Sequence, residues 1–252
     1  MTEKRTTRNR EERADQTQKR ILRAAVQEFS THGLSGARTD RIAGSAKVNK
    51  ALLYYYYKSK HGLYAAAVED VATRVVENAL AEFDPKYSAG EKLLRSALNH
   101  FDRILTQREF QSLMQQEMIR FRSGKSGSVP VLFRTAFAPL IQRMKDAVED
   151  GIQTGELCRM DWLQVVYSIF GANVFYFLSA PMMEMSLPFE PYDPKALKLR
   201  REIAVHFLGT ALFTDRAAGA KLADRILREM PMPRVTSMQA QSKGFHTRRK
   251  TL

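Results

Sequence analysis

Four tyrosines in a row, set among lysines, are the side chains here best suited to chemistry at a surface. They stand in the run Asn49-Lys50-Ala51-Leu52-Leu53-Tyr54-Tyr55-Tyr56-Tyr57-Lys58-Ser59-Lys60. A helix turns by about 100° per residue, so four neighbouring rings are carried around it and cannot all be core. An outward phenol gives a hydrogen bond to a phosphate oxygen and a ring edge to a thymine methyl, and Lys50 can reach a guanine acceptor. Leu52 has no polar chemistry, and facing outward it suits thymine methyls. The set points to recognition of a nucleic-acid groove by a helix. Tyr54 and Tyr57 have a second use, as packing residues that join this helix to its neighbours.

Such a rod must be held by other elements. Two short helices are expected, over 39–46 and 49–57, separated only by Lys47-Val48, which is helix-turn-helix spacing. Val48, Leu53 and Tyr57 share a side and can dock on Ile42, Ala43 and Ala46. Before them a helix is expected over 17–31, with an apolar stripe of Ile21, Leu22, Ala25, Val26 and Phe29, Asp15 and Gln18 to cap its start, and Gly33 to end it. A fourth runs from Lys60 to Phe83, stopped by Asp84-Pro85. Ser88 to Glu91 reads as a capping box that opens a fifth. The later segments are expected over 109–121, 130–155 and 161–180. A ninth helix is entered by Asp193 and Pro194, and a tenth covers 215–230. Pro181, Pro188 and Pro191 read as a rigid connection between the eighth and ninth. The fold class is all-α.

The stretch from Ile21 to Val68 resembles the DNA-binding domain of the TetR family of bacterial transcriptional regulators. The residues that carry the resemblance are Ile42-Ala43-x-x-Ala46-x-Val48, Leu53-Tyr54-x-Tyr56 and Lys58-Ser59-Lys60, within 48 positions of the chain. The resemblance implies that Tyr54, Tyr56 and Lys60 touch phosphate or base and that Thr39 contacts the DNA backbone. Lys50, Ala51, Leu52 and Tyr55 then match the positions that vary with the operator. Departures are Lys47 where the family has glycine, Ala51 where glycine or proline is frequent, Arg38 for threonine or serine, and Tyr57 for phenylalanine. Lys47 and Arg38 add positive charge toward the DNA backbone, and Asn49 completes the expected DNA-binding set.

The charge distribution agrees with a polyanion at the amino end. The 252 residues carry a net charge of +13; residues 1–60 hold 14 basic and 6 acidic side chains, residues 234–252 hold 5 and none, and the body between is neutral. The expected division is a basic flexible arm over 1–16, the DNA-binding domain over 17–60, a helical ligand-binding and dimerisation domain over 61–230, and a basic flexible tail over 231–252. One cysteine, Cys158, cannot close an intrachain bridge, and the first residues have no apolar run for export, so a cytoplasmic protein is expected.

Members of the resembled family use the later helices for homodimerisation and for a small-molecule pocket. The uncharged run from Trp162 to Met183 suits that position. Its interruptions by Gln164, Ser168, Gly171, Asn173 and Ser179 speak against a membrane span and for a helix buried on both sides in a soluble assembly. Gly171 and Ala172, with Ile203, Phe207 and Leu208, are the expected dimer contacts. Phe110, Met114, Met118, Phe133, Phe137, Tyr167, Phe170, Asn173 and Tyr176 are candidates to line a pocket for an apolar or aromatic effector.

Nothing resembles a catalyst. His32, His61, His100, His206 and His246 are scattered without metal-ligand spacing, so neither metal nor cofactor is expected. Gly124-Lys125-Ser126 resembles the end of a phosphate-binding loop, yet Ile119 stands where its first glycine is required. The expected function is a transcriptional repressor released from a palindromic operator by its effector. The alternatives are an activator with the same domain and a helical enzyme or carrier for an apolar metabolite.

Overall fold

The structure, a computed structural model, describes residues 2–125, 128–188 and 190–234. Helix α1 spans Thr2–Gly36, so residues 2–16 continue the helix rather than forming the flexible arm expected there. Between Thr2 and His32 there is neither proline nor glycine, and arginine, glutamate, glutamine, lysine and alanine are strong helix formers. Asp15 does not cap a helix start; it pairs with Lys19 one turn on, at 2.7 Å. Gly33 interrupts α1 at φ 67°, a conformation that a Cβ makes costly. The expected tail over 231–252 lies largely outside the described residues.

Helices α2 (Thr39–Ser45) and α3 (Lys50–Tyr57) follow, then α4 (Lys60–Leu80), which tightens into a 3₁₀ turn over Ala81–Phe83. Contacts divide the chain into two compact units, and not at residue 60. One unit takes residues up to Glu77 together with Gln107–Ala138; the other takes Asn78–Thr106 and the residues from Pro139 on.

In the first unit Ile21, Ala25 and Phe29 of α1 are fully buried with Ile42, Leu53, Leu63 and Ala67. The Phe29 ring meets Tyr64 edge-on at 5.0 Å. Helix α6 (Arg108–Arg122) lies against α1 and satisfies carbonyls near its end. Ser112 donates to the Ser30 carbonyl at 2.6 Å, and the Gln116 amide reaches the Phe29 and Ser30 carbonyls at 3.3 and 3.2 Å. Helix α7 (Ser128–Leu132) continues through a π-helical turn over Phe133–Phe137 into α8 (Ala138–Gln153), so the seventh helix expected over 130–155 is present with a π turn inside it.

In the second unit α5 (Ala89–Thr106) is central, packed by α9 (Trp162–Ser186), α10 (Pro194–Leu212) and α11 (Arg216–Glu229). Its main core joins Leu93, Leu94, Leu98, Met144, Val148, Ile169 and Leu208, and Phe101, Leu105 and Leu197 form a second cluster. Gly209 and Gly219 let α10 and α11 touch backbone to backbone; a Cβ on Gly209 would stand 2.7 Å from the Gly219 carbonyl oxygen. Two ion networks tie the ends of the unit. Arg201 forks onto Asp102 at 2.7 and 2.8 Å, and buried Arg95 pairs with Glu91 and Glu229. Glu91 also receives Arg225, so it is not the reciprocal half of a capping box. Ser88 still accepts the Glu91 amide, and Glu156 closes the helix start by accepting from Ser88 and from the Gly90 amide.

Helix α9 does not stop at Ala180. It carries Pro181 inside and ends at Ser186, so Pro181 belongs to the helix and not to the connection after it. A proline within a helix removes one backbone bond, here the one to the Phe177 carbonyl.

Candidate nucleic-acid interface

The turn between α2 and α3 is built by Lys47, whose φ of 54° is a left-handed conformation that costs a non-glycine residue roughly 1 kcal/mol. It lets the Val48 amide bond back to the Ala43 carbonyl at 3.0 Å. Asn49 then caps α3, accepting the Leu52 amide at 2.7 Å. One lone pair of its side-chain oxygen is thereby engaged, and its amide nitrogen is left to face a partner. Leu53, with no exposed surface, pins α3 from inside, while Val48 is half-buried.

Around the rest of α3 the side chains divide by exposure. Lys50, Ala51 and Tyr55 are exposed, Tyr55 at 68%, whereas Leu52, Tyr54 and Tyr56 are half-buried. Tyr56 packs edge-on against Tyr55 at 5.4 Å, and the Lys58 ammonium sits 5.3 Å over the Tyr55 ring. The Tyr54 hydroxyl lies 3.3 Å from the hydroxyl of Thr39, which is itself buried at the start of α2. Tyr57 turns away, its hydroxyl toward the Gln18 carbonyl of α1 at 3.5 Å, and burial pushes its pKa up to about 12. It is thus a packing residue.

Several placements were not legible in residue types alone. Arg38 and Lys47 are exposed, and the Arg38 amide is held by Glu28 of α1 at 2.9 Å. Lys60 is half-buried and donates to the Ser35 carbonyl at 3.1 Å, which leaves two of its three N–H groups for another acceptor. The residue that sequence reasoning missed is Asp40. It pairs with Lys50 at 2.9 Å across the two helices, which holds its carboxyl below the usual range and raises the Lys50 ammonium above its own. The signal was present: an acid and a base, each in the first turn of its helix, in a motif whose two helices start side by side. Lysine ammonium, tyrosine hydroxyls and the apolar Ala51 and Leu52 together offer donors to phosphate and a mixed face to base edges.

The residues expected to line a pocket fall in both units. Phe110, Met114, Met118, Phe133 and Phe137 belong to the first unit, and Tyr167, Phe170, Asn173 and Tyr176 to the second. Met118, Phe133 and Tyr167 are exposed at 58, 45 and 66%. The Phe137 and Phe133 rings meet tilted at 5.3 Å, the Tyr176 hydroxyl donates to the Pro191 carbonyl at 2.7 Å, and Asn173 is buried on the Ala97 carbonyl. Among the expected dimer contacts Gly171, Ala172, Ile203 and Phe207 are exposed, while Leu208 is in the chain's own core. Consecutive helical residues point about 100° apart, so Phe207 and Leu208 cannot both face outward. The helix expected to be buried on both sides in an assembly has one side covered in the single chain; Phe175, Leu178 and Met182 of α9 are exposed, as are Leu199, Ile203 and Phe207 of α10.

An amino-terminal α1–α2–α3 arrangement with a capped, outward helix after a tight turn, in a chain whose other described elements are helical, defines a class of helix-turn-helix proteins. Residues 21–67 match the model of the bacterial regulatory proteins of the tetR family, and residues 91–208 match that of the tetracyclin repressor-like C-terminal domain. The chain belongs to the TetR family.

Among curated proteins it is 53% identical over 53 residues to the HTH-type transcriptional repressor SCO4008 of Streptomyces coelicolor, a match covering 21% of this chain and 28% of that protein. It is 40% identical over 62 residues to the HTH-type transcriptional repressor NicS of Pseudomonas putida, covering 25% and 29%. The match thus spans less than a third of either relative. Among solved structures, a transcriptional regulator from Saccharomonospora viridis in complex with choline superposes with a TM-score of 0.62 at 16% identity, over 78% of this chain and 97% of that one. The regulator FadR of Bacillus subtilis in complex with stearoyl-CoA gives 0.55 at 19%, over 72% and 96%. These likenesses establish the fold.

Proposed function

We propose that the chain is a cytoplasmic DNA-binding transcriptional regulator, a repressor acting as a homodimer on an operator with two half-sites and released by a small apolar or aromatic effector. The observation that carries this reading is the face of α3 from Lys50 to Tyr56, held outward by the buried Leu53 and the Asn49 cap. The repressor sense is supported by the names of SCO4008 and NicS, and the effector by the choline and stearoyl-CoA bound to regulators of this fold. Lys50, Ala51, Leu52 and Tyr55 read bases; Arg38, Thr39, Lys47, Asn49, Tyr54, Tyr56 and Lys60 position the backbone. Effector binding must favour the arrangement that does not fit DNA, and its differential affinity bounds the response. The exposed apolar row on α9 and α10 is the surface that a second copy covers.

Mobility shifts on a selected operator and on a random duplex test the reading. Lys60→Ala is expected to weaken both alike, and Lys50→Ala to weaken the operator more, with preference changed at particular bases. Asp40→Asn removes the carboxylate that competes for Lys50; it is expected to raise affinity for both duplexes while narrowing the difference between them. Equal losses on both duplexes with Lys50→Ala would remove its reading role.

A further inference from the structure

The turn that joins α3 to α4 is strained, and the residue at its centre is not the one that strain favours. Lys58 has φ 60° and ψ −41°, and the Ser59 amide bonds the Tyr57 carbonyl at 2.6 Å. Such a bond, closed over one residue of positive φ, is the rare and strained hand of the γ-turn, and glycine adopts it more readily than lysine. The surroundings hold it in place. Ser59 Oγ accepts the Gly62 amide at 3.0 Å, and the amide of the fully buried Leu63 bonds the Ser59 carbonyl at 3.0 Å. A Cβ on Gly62 would stand 2.4 Å from the Tyr57 carbonyl oxygen, so the close approach of α4 to this turn requires glycine there. Strain that is held in this way gathers at functional sites.

What the turn directs is the Lys58 side chain. The Lys58 amide ends α3 by donating to the Tyr54 carbonyl at 2.9 Å, and the ammonium folds back to donate to the Tyr55 carbonyl at 2.8 Å. From there it lies over the Tyr55 ring, 5.3 Å from the centroid, while Tyr56 meets the same ring edge-on at 5.4 Å. Tyr55 is 68% exposed. A ring so open to water is free to change rotamer, and an ammonium over its face restricts that freedom before any partner arrives.

We propose that Lys58 is a positioning residue for Tyr55: it holds the ring in the orientation that reads a base, and sets specificity without giving its own charge to a phosphate. The proposal rests on the regulator reading, in which Tyr55 reads bases. A lysine that only capped the end of α3, or only touched the DNA backbone, would act on every duplex alike.

The test uses three variants of the full chain, each checked for helicity and melting. Lys58→Met keeps the aliphatic stem and removes the charge, Lys58→Arg keeps a cation for the ring, and Lys58→Gly removes the side chain while relieving the turn. Mobility shifts on a selected operator and on a random duplex are read over a range of salt. With Lys58→Met and Lys58→Gly, operator affinity is expected to fall about fivefold or more, since the contact is lost at both half-sites, with random-duplex affinity and its salt slope unchanged. Lys58→Arg is expected to restore most of the discrimination. In NMR spectra of the DNA-free chain the Tyr55 ring resonances, identified by their loss in Tyr55→Phe, are expected to shift in Lys58→Met and to return toward the wild type in Lys58→Arg. Equal losses on both duplexes, a salt slope shallower by about one per half-site, unchanged discrimination in Lys58→Met, or Tyr55 resonances that do not move would overturn the proposal. The two readings fail separately: a wild-type chain whose Tyr55 ring responds to Lys58 but which binds no duplex overturns the regulator reading, and the spectra alone then decide whether Lys58 holds the ring.

Discussion

Leu53→Ala is expected to abolish binding to every duplex while leaving the second unit folded. Leu53 has no exposed surface and is the residue of α3 that is buried in full. Removing its isobutyl group forfeits apolar transfer and leaves a cavity that so short a helix can close only by moving, at a cost of about 2–5 kcal/mol. Natural domains are stable by only about 5–15 kcal/mol, so this is a large fraction of what the first unit has. In calorimetry the transition of the amino-terminal unit should fall by roughly ten degrees or more, and that of the α5, α9, α10 and α11 unit should hold. Leu53→Met keeps volume and apolarity and is expected to retain binding. Binding by Leu53→Ala within a factor of about two of the wild type would show that α3 is not held as described.

The second large effect concerns the row Phe175, Leu178 and Met182 on α9 with Leu199, Ile203 and Phe207 on α10. All six are more than half exposed in the single chain, and large apolar side chains exposed along one helix face are a mark of association. The double variant Phe175→Glu with Phe207→Glu changes only outward positions, so the subunit should fold and melt normally. Light scattering should then report one 28.8 kDa chain where the wild type gives twice that mass. Affinity for a two-half-site operator should fall on the order of a hundredfold or more, because the second half-site no longer binds as part of one particle. An unchanged mass would place the partner surface elsewhere.

How much of this was legible beforehand depends on whether a feature is local. The short turn between α2 and α3, the inward Leu53, and the aspartate and proline that open α10 all follow from neighbours a few residues apart, and residue types reveal them. The α1 extension was local too; a lone Asp15 looked like a cap, but Asp15 and Lys19 are also ideally spaced for an ion pair within one continuous helix. Tertiary facts were out of reach. Nothing in residue type says that the Lys60 ammonium bonds the Ser35 carbonyl, or that α6 fastens to the end of α1 through Ser112 and Gln116. The nine candidates for a pocket were chosen by apolarity and period. Those criteria pass Tyr167 on an outward face and Phe110 in a core alike.

The central claim is that α3, presented outward, meets duplex DNA. It is tested most directly by measuring the affinity of the wild-type chain for duplex fragments of its own genome as salt is raised. Each neutralised phosphate releases counterions, so the account predicts that log affinity falls linearly with log salt, with a slope of about −4 or steeper for two half-sites, and that Lys60→Ala makes it shallower by about one per half-site. A chain whose affinity for duplex DNA is negligible at low salt, or does not change as salt is raised, would contradict it.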